Sequence, residues 1–141
     1  MTVAYFDASA LVKLVIDEPG SDDAALLWDA DAVITSRVAH PEVRAALAAA
    51  QRDSRLDDEG LRVAKAEWEA FHRALRFVEL TPQLGADAGD LAERHARSGF
   101  DAVHLVSALT LTELPLMVAT WDACLLHAAR SAGFISLPGQ P

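Results

Sequence analysis

Four carboxylates stand inside apolar stretches of this 141-residue chain, where an isolated charge is costly. They are Asp7 in YFDASALVKL, Glu42 in PEVRAAL, Asp101 in GFDAVHLVSAL and Asp122 in TWDACLL. Because they lie far apart along the chain, only a fold that gathers distant strand ends can bring them together. Four negative charges within about 8 Å repel one another by roughly 1 kcal/mol per pair, so such a cluster needs a cation. The pattern predicts a site for one or two Mg²⁺ or Mn²⁺ ions, which prefer oxygen ligands.

A divalent ion in such a pocket is suited to the hydrolysis of a phosphodiester bond. One ion polarises the phosphate and lowers the pKa of a bound water, and a second ion stabilises the leaving oxygen. The sequence contains no nucleophile-elbow serine, no Gly-rich phosphate loop and no paired-histidine zinc motif. The metal must therefore activate the water, and a metal-dependent phosphodiester hydrolase is our leading hypothesis.

Each acid alone also has a purely structural interpretation. Asp7, Asp101 and Asp122 each open a predicted helix, where an aspartate caps free N–H groups, and Glu42 lies in a first helical turn. Serine, threonine or asparagine serve equally well as caps. A carboxylate at all four helix openings therefore favours the metal cluster over four separate caps.

The elements that must position these acids alternate between short apolar runs and longer helical segments. The predicted strands cover residues 2–6, 31–36, 76–80, 114–120 and 134–137. Alternation of this kind predicts an α/β fold with three layers, α/β/α, and a central parallel sheet of about five strands. Ligands bind at the carboxyl ends of such strands, where Asp7 and Asp122 fall, whereas Asp29 and Asp31 fall at the opposite edge. The clearest amphipathic helix, over 57–75, has an apolar stripe that we interpret as core packing, with a groove for a partner as the alternative.

Several polar residues are candidates for supporting roles at the site. Ser9 and Thr120 can each bond a carboxylate, and His104 can orient Asp101 or touch substrate. A helix cap, a strand threonine and a hydrogen-bonded core histidine are the respective structural alternatives. Arg37 and Arg130 are the main candidates among the basic residues for binding the phosphates of a substrate. Most arginines are expected to be surface charges.

Composition limits the remaining possibilities. The length and 52% hydrophobic content fit a single domain over 1–141, with a frayed tail at 138–141. No apolar run reaches the roughly 20 residues of a membrane span, so we expect a cytoplasmic protein without membrane contact. A net charge of −9 argues against a protein that coats nucleic acid, but not against a nuclease whose ions supply local positive charge. The single cysteine, Cys124, is expected to be a buried, inert thiol.

These motifs, in this order and spacing, resemble those of the PIN-domain ribonucleases, specifically the VapC-type toxins of toxin–antitoxin pairs. The resemblance covers residues 3–137. It implies an α/β/α fold and Mg²⁺- or Mn²⁺-dependent cleavage of RNA. It also implies a cognate antitoxin that blocks the site, and a homodimer or a toxin–antitoxin hetero-oligomer. By position, the metal-site acids of the family correspond to Asp7, Glu42, Asp101 and Asp122, with Ser9 and Thr120 beside them.

Other classes with a similar architecture match the chain less well. Phosphatases with an aspartate nucleophile need D-x-D after the first strand, where this chain has D-x-S, and phosphoreceivers need a late lysine, where the last one is Lys65. A catalytically silent PIN-like module that only binds a protein partner remains the alternative. An antitoxin groove between helices would take an amphipathic segment. Its candidate lining residues, which core packing explains equally well, are Trp28, Leu27, Val12 and Val15.

Overall fold

A computed structural model describes residues 1–139 of the chain. Five parallel strands in this range form one sheet in the order β3-β2-β1-β4-β5. The strands are β1 (Val3–Phe6), β2 (Ala32–Ser36), β3 (Arg76–Val78), β4 (Leu116–Ala119) and β5 (Ile135–Leu137). The predicted strands are all present, each one to three residues shorter than predicted. The parallel sheet of the predicted fold class is confirmed.

Helices lie between the strands and pack on both faces of the sheet. They are α1 (Ala8–Val12), α2 (Ser21–Trp28), α3 (Ala39–Arg52), α4 (Asp58–Ala74), α5 (Pro82–His95), α6 (Gly99–Leu109) and α7 (Ala123–Ser131). The segment after β1 forms two helices, α1 and α2, because the EPG sequence at 18–20 separates them. Helix α6 begins two residues before Asp101, since the Ser98 hydroxyl accepts a hydrogen bond from the Asp101 N–H at 3.1 Å. The prediction that Asp101 opens this helix is therefore wrong, and Ser98 is the cap.

Strand β1 lies at the centre of the sheet and is buried on both faces. Ala4 and Phe6 belong to the larger core with helices α1, α3 and α4, whereas Val3 and Tyr5 belong to the core on the opposite face. Such two-sided burial explains why the strand is apolar throughout. The strand order reverses between β1 and β4, so the topological switch point lies between these two strands, where ligands of parallel sheets bind.

Helix α4 confirms the core-packing interpretation of its apolar stripe. Asp57 caps its first turn, with Oδ1 accepting from the Gly60 N–H at 2.6 Å, and Trp68 is fully buried in the larger core. Cys124 is exposed, because its position in the first turn of α7 faces away from the sheet, so the prediction of a buried thiol is wrong. Residues 140 and 141 of the predicted frayed tail lie outside the described residues.

None of the helices described in residues 1–139 is long and apolar enough to cross a membrane.

The loop between α1 and α2 closes against Trp121, which directly precedes Asp122. Gly20 adopts a positive φ of 96° as the N-cap of α2. A Cβ atom at Gly20 would lie 2.6 Å from the Trp121 indole nitrogen. The Trp121 backbone N–H also donates to the Ser9 hydroxyl at 2.8 Å. The Gly20 contact therefore lies next to the polar residues at the switch point.

Replacement of Gly20 by alanine is expected to lower the free energy of unfolding by at least about 1 kcal/mol, because the backbone conformation and the indole both oppose a methyl group. The matched control is Gly89→Ala in helix α5, where nothing lies within 4 Å of the added carbon. That substitution should raise the free energy of unfolding by about 0.5–1 kcal/mol. Urea denaturation of both variants measures the difference, and equal effects would contradict the argument.

Candidate active site

Asp7 ends the central strand, and its carboxylate is buried with 4% exposure. Its Oδ1 accepts hydrogen bonds from the Ser9 hydroxyl at 2.7 Å and the Ala10 N–H at 3.0 Å, and its Oδ2 accepts from the Thr120 hydroxyl at 2.6 Å. Burial raises the pKa of the Asp7 carboxyl, and the nearby His104 and these hydrogen bonds offset that rise only in part. Asp7 therefore caps α1 and is also a buried acid at the switch point.

Thr120 follows strand β4 and connects Asp7 with Asp122. Its hydroxyl donates to Asp7 and accepts the backbone N–H of Asp122 at 3.1 Å. Asp122 caps α7, with Oδ1 accepting from the Leu125 N–H at 2.8 Å. The capping interpretation thus holds for both Asp7 and Asp122, and the two caps lie side by side because β1 and β4 are neighbours.

The Glu42 side chain, in the first turn of α3, is hydrogen-bonded to a buried histidine. His104 Nε2 lies 2.7 Å from Glu42 Oε1, and His104 Nδ1 lies 2.8 Å from the Tyr5 hydroxyl. The prediction of His104 as a hydrogen-bonded core residue is therefore confirmed. Its carboxylate partner is Glu42, whereas the predicted role of orienting Asp101 required a bond to Asp101. Tyr5 was missed by the sequence analysis. The signal for it was a hydroxyl two residues before Asp7 in an otherwise apolar strand, since a buried tyrosine needs a partner for its O–H.

Asp101 is partly buried in the first turn of α6. Burial raises the pKa of its carboxyl, and the negative charges of Asp122 and Glu42 raise it further. These two acids therefore lie close enough to Asp101 for their charges to act on it. Thr120 also links Asp7 with Asp122. The four predicted acids, Asp7, Glu42, Asp101 and Asp122, therefore lie at one edge of the sheet, which we call the acid edge.

The donor set is appropriate in type and charge for a hard divalent cation, because it consists of carboxylate oxygens and because the negative charges of Asp122 and Glu42 raise the pKa of Asp101. Hydrogen bonds from other protein groups already reach both carboxylate oxygens of Asp7, one of Glu42 and one of Asp122. In these orientations, no group of three or more His, Cys, Asp or Glu side chains among residues 1–139 is arranged as a metal-binding set. The metal role of the four acids stays a prediction.

The two arginines predicted to bind phosphate lie in different places. Arg37 follows β2 at the carboxyl edge, where its guanidinium pairs with Glu79 at 2.5 Å and lies 3.9 Å from the centre of the Phe77 ring. Arg130 lies in the last turn of α7 and donates to the Pro138 carbonyl. Because Asp122 caps the start of α7 and the helix rises about 1.5 Å per residue, Arg130 lies at the far end of the helix from the acids. Its position does not support the predicted phosphate contact.

Comparison with known proteins identifies the family to which this fold and this acid edge belong. A family model described as PIN domain matches residues 4–117. The chain belongs to the PIN-domain family. Ribonucleases VapC45 and VapC49 of Mycobacterium tuberculosis are each 50% identical to it over 141 residues, which is 99% of this chain and 98% of theirs. Ribonuclease VapC46 of the same species is 32% identical over 94% of this chain and 95% of its own. This PIN-domain chain is therefore of the VapC ribonuclease type.

Solved structures support the same PIN fold. PAE2754 from Pyrobaculum aerophilum matches with a TM-score of 0.69 and 21% identity, covering 96% of this chain and 89% of its own. VapC20 of M. tuberculosis, a toxin that cleaves the sarcin–ricin loop, gives 0.67 and 20%, covering 93% and 95%. VapBC2 from Rickettsia felis, bound to a DNA fragment from its promoter, gives 0.63 and 13%, covering 95% and 96%. These likenesses establish the three-layer α/β/α architecture of the PIN domain.

The raised pKa of Asp7 predicts how the stability of the metal-free protein changes with pH. Between the ordinary and the raised pKa, the folded state binds more protons than the unfolded state, so stability falls as pH rises through that window. Asparagine at this position cannot ionise. In buffers with a chelator, the free energy of unfolding of Asp7→Asn minus that of the wild-type protein should therefore increase from pH 4 to pH 7.

Urea denaturation at several pH values measures this difference. Asp57→Asn is the matched control, because it changes an aspartate cap that is exposed, and its difference from the wild-type protein should stay within about 0.5 kcal/mol. A difference for Asp7→Asn that is constant or decreases with pH would contradict the burial argument.

Proposed function

We propose that this chain is a metal-dependent endoribonuclease and the toxin of a VapBC-type pair. It acts in the cytoplasm and binds a cognate antitoxin. Its assembly is either a homodimer of the toxin or a hetero-oligomer of toxin and antitoxin. The observation that carries the proposal is the gathering of Asp7, Glu42, Asp101 and Asp122 at the switch point of a PIN fold. The 50% identity to two VapC ribonucleases over nearly the full chain supports RNA as the substrate.

In this proposal the four acids hold Mg²⁺ or Mn²⁺, as one or two ions. When bound, the ion polarises the phosphodiester and supplies an activated water. Asp7 is held in a fixed position by three hydrogen bonds, and Thr120 sets its spacing from Asp122. The burial and like charges that raise the pKa of Asp101 are the conditions under which a cation is attracted.

The overall charge of −9 has a consequence for how RNA is bound. Without a surface of lysine and arginine, the protein gains little from neutralising phosphates along a strand. Local positive charge must come chiefly from the ion at the acid edge, because Arg37 at the carboxyl edge is already paired with Glu79. The proposal therefore includes weak general affinity for RNA and cleavage restricted to particular sites.

The acids can be tested with substitutions that preserve shape. Asp7→Asn and Asp101→Asn should each abolish Mn²⁺-dependent cleavage of total cellular RNA, with a loss larger than the roughly 10–100-fold typical of residues outside the ligand set. Asn at position 7 still caps α1, so the variant should remain folded. Cleavage is measured on gels with Mn²⁺ titrated from zero, and Asp57→Asn is the control.

Unchanged cleavage in both variants would contradict the proposal that these carboxylates hold the catalytic ion. The alternative, a silent PIN-like module that only binds a partner, predicts that the wild-type protein itself shows no metal-dependent cleavage.

The antitoxin contact is best supported at a groove between α2, α4 and the loop that follows α1. The groove has a volume of about 400 Å³, and its apolar lining includes Val15, Trp28 and Phe71. Trp28 packs edge to face on Phe71, with ring centres 4.9 Å apart, and the two rings form one wall of the groove. An amphipathic segment of the antitoxin fits a groove of this kind.

Two of the four residues predicted to line such a groove do not do so. Val12 and Leu27 are buried, at 7% and 8% exposure, in the larger core. Both lie on the inner sides of their helices, so packing against the sheet explains them. Val15 and Trp28 remain at the groove.

Charge placed in the groove should separate antitoxin binding from catalysis. Val15→Glu is expected to weaken binding of the antitoxin encoded beside this chain about tenfold or more, because it puts a carboxylate against an apolar partner surface. Cleavage of RNA by the isolated variant should be unchanged. Val63→Glu, on the exposed side of α4, is the matched control. Titration calorimetry measures the affinity, and equal affinities for the two variants would exclude this groove.

A further inference from the structure

We propose that Tyr5 and His104 are positioning residues that hold the Glu42 carboxylate in the orientation in which it meets a divalent ion. The inference rests on the proposed function, because it assigns a role to residues that support one of its metal ligands. It goes further by assigning work to a buried tyrosine and histidine outside the set of four acids.

The three side chains form a continuous chain of hydrogen bonds from the core to the acid edge. The Tyr5 hydroxyl lies 2.8 Å from His104 Nδ1, and His104 Nε2 lies 2.7 Å from Glu42 Oε1. The two rings meet edge to face, with centres 5.9 Å apart. Tyr5 and His104 are 1% and 2% exposed, so neither can replace these partners with bulk water. Each bond in the chain is therefore retained in the folded protein.

The direction of donation along this chain follows from the chemistry of the groups. An ionised Glu42 carboxylate can only accept, so His104 Nε2 carries the proton that is donated to it. In a neutral imidazole, Nδ1 is then the acceptor, and the Tyr5 O–H donates to it. The Glu42 carboxylate thus selects the tautomer of His104, and the phenol donates to the buried Nδ1 that this tautomer leaves as an acceptor. Phenylalanine would fill the same space and leave Nδ1 without a donor.

Positioning matters for Glu42 because its side chain is long and flexible. Ordering a glutamate side chain costs conformational entropy, because several of its torsions must be fixed. His104 imposes this order at the folding stage, before any ion binds. His104 lies three residues after Asp101 on α6, and Tyr5 lies two residues before Asp7 on β1. These hydrogen bonds therefore fix Glu42 relative to α6 and β1, the elements that lead to Asp101 and Asp7.

Metal affinity tests the proposal without relying on catalysis. Tyr5→Phe and His104→Leu should each raise the Kd for Mn²⁺ about tenfold or more, as is typical when a partner of a metal ligand is lost. His104→Gln should retain most of the affinity, because its amide N–H can donate to Glu42 where Nε2 did. Calorimetry or electron paramagnetic resonance gives the Kd of each variant.

The tautomer provides a readout that a merely structural role would not move. Nitrogen-15 shifts of His104 in the metal-free wild-type protein should report the form protonated at Nε2. In Tyr5→Phe the same form should persist, and the Nδ1 resonance should move to that of an acceptor nitrogen without a hydrogen-bond donor. A ring that keeps the wild-type shifts in Tyr5→Phe would overturn the assignment of the phenol.

Trp68→Phe is the matched control, because the buried Trp68 ring donates through Nε1 to His40 Nδ1 at 3.0 Å and so also bonds the Nδ1 of a histidine. It removes that bond without removing a partner of any of the four acids, and its Kd for Mn²⁺ should equal that of the wild-type protein.

Asp101→Asn separates the two possible failures. If it abolishes Mn²⁺ binding while Tyr5→Phe and His104→Leu bind normally, the positioning role is wrong and the proposed function stands. If Asp101→Asn also binds normally, the metal site itself is wrong. A Kd for His104→Gln as high as that of His104→Leu would also contradict the positioning role.

Discussion

Burial of one carboxylate at the end of the central strand is the constraint on which the rest of this structure depends. An unpartnered buried charge is strongly unfavourable, so Asp7 requires donors on both of its oxygens. These donors come from Ser9 and Ala10 in α1 and from Thr120 after β4. The position of α1 and the end of β4 are therefore fixed by the same bonds that shape the acid edge. Core and site cannot be optimised separately in this domain.

Much of the fold could be predicted because the chain obeys local rules. Short apolar runs separated by helical segments specify parallel strands, and the carboxyl-edge rule then sorts the acids by position. The start of α6 was nevertheless predicted two residues late, although Ser98 and Asp101 have the spacing of a capping box. The apolar run that begins at Asp101 gave a stronger signal than the cap. Helix periodicity alone does not show where the first turn begins.

The pairing of individual side chains was much less predictable. Tyr5 and His104 are 99 residues apart in sequence, and His104 and Glu42 are 62 apart. The spacing along α6 suggested Asp101 as the hydrogen-bond partner of His104. The His104 side chain instead points toward α3, where it contacts Glu42. The burial of Val12 and Leu27 and the exposure of Cys124 likewise depend on which face of a helix meets the sheet. Such contacts are set by the assembled layers.

The acid edge is built from two kinds of support. Asp7 and Asp122 follow adjacent inner strands and are joined through Thr120, whereas Glu42 and Asp101 lie in the first turns of α3 and α6. Strands in the middle of a sheet open only with global unfolding, whereas helix ends can loosen at a much lower free energy. Because the His104–Glu42 hydrogen bond joins the start of α3 to α6, and Tyr5 joins His104 to the central strand, neither helix end can loosen without breaking a buried contact. The less stable half of the pocket is therefore cross-linked to the more stable half.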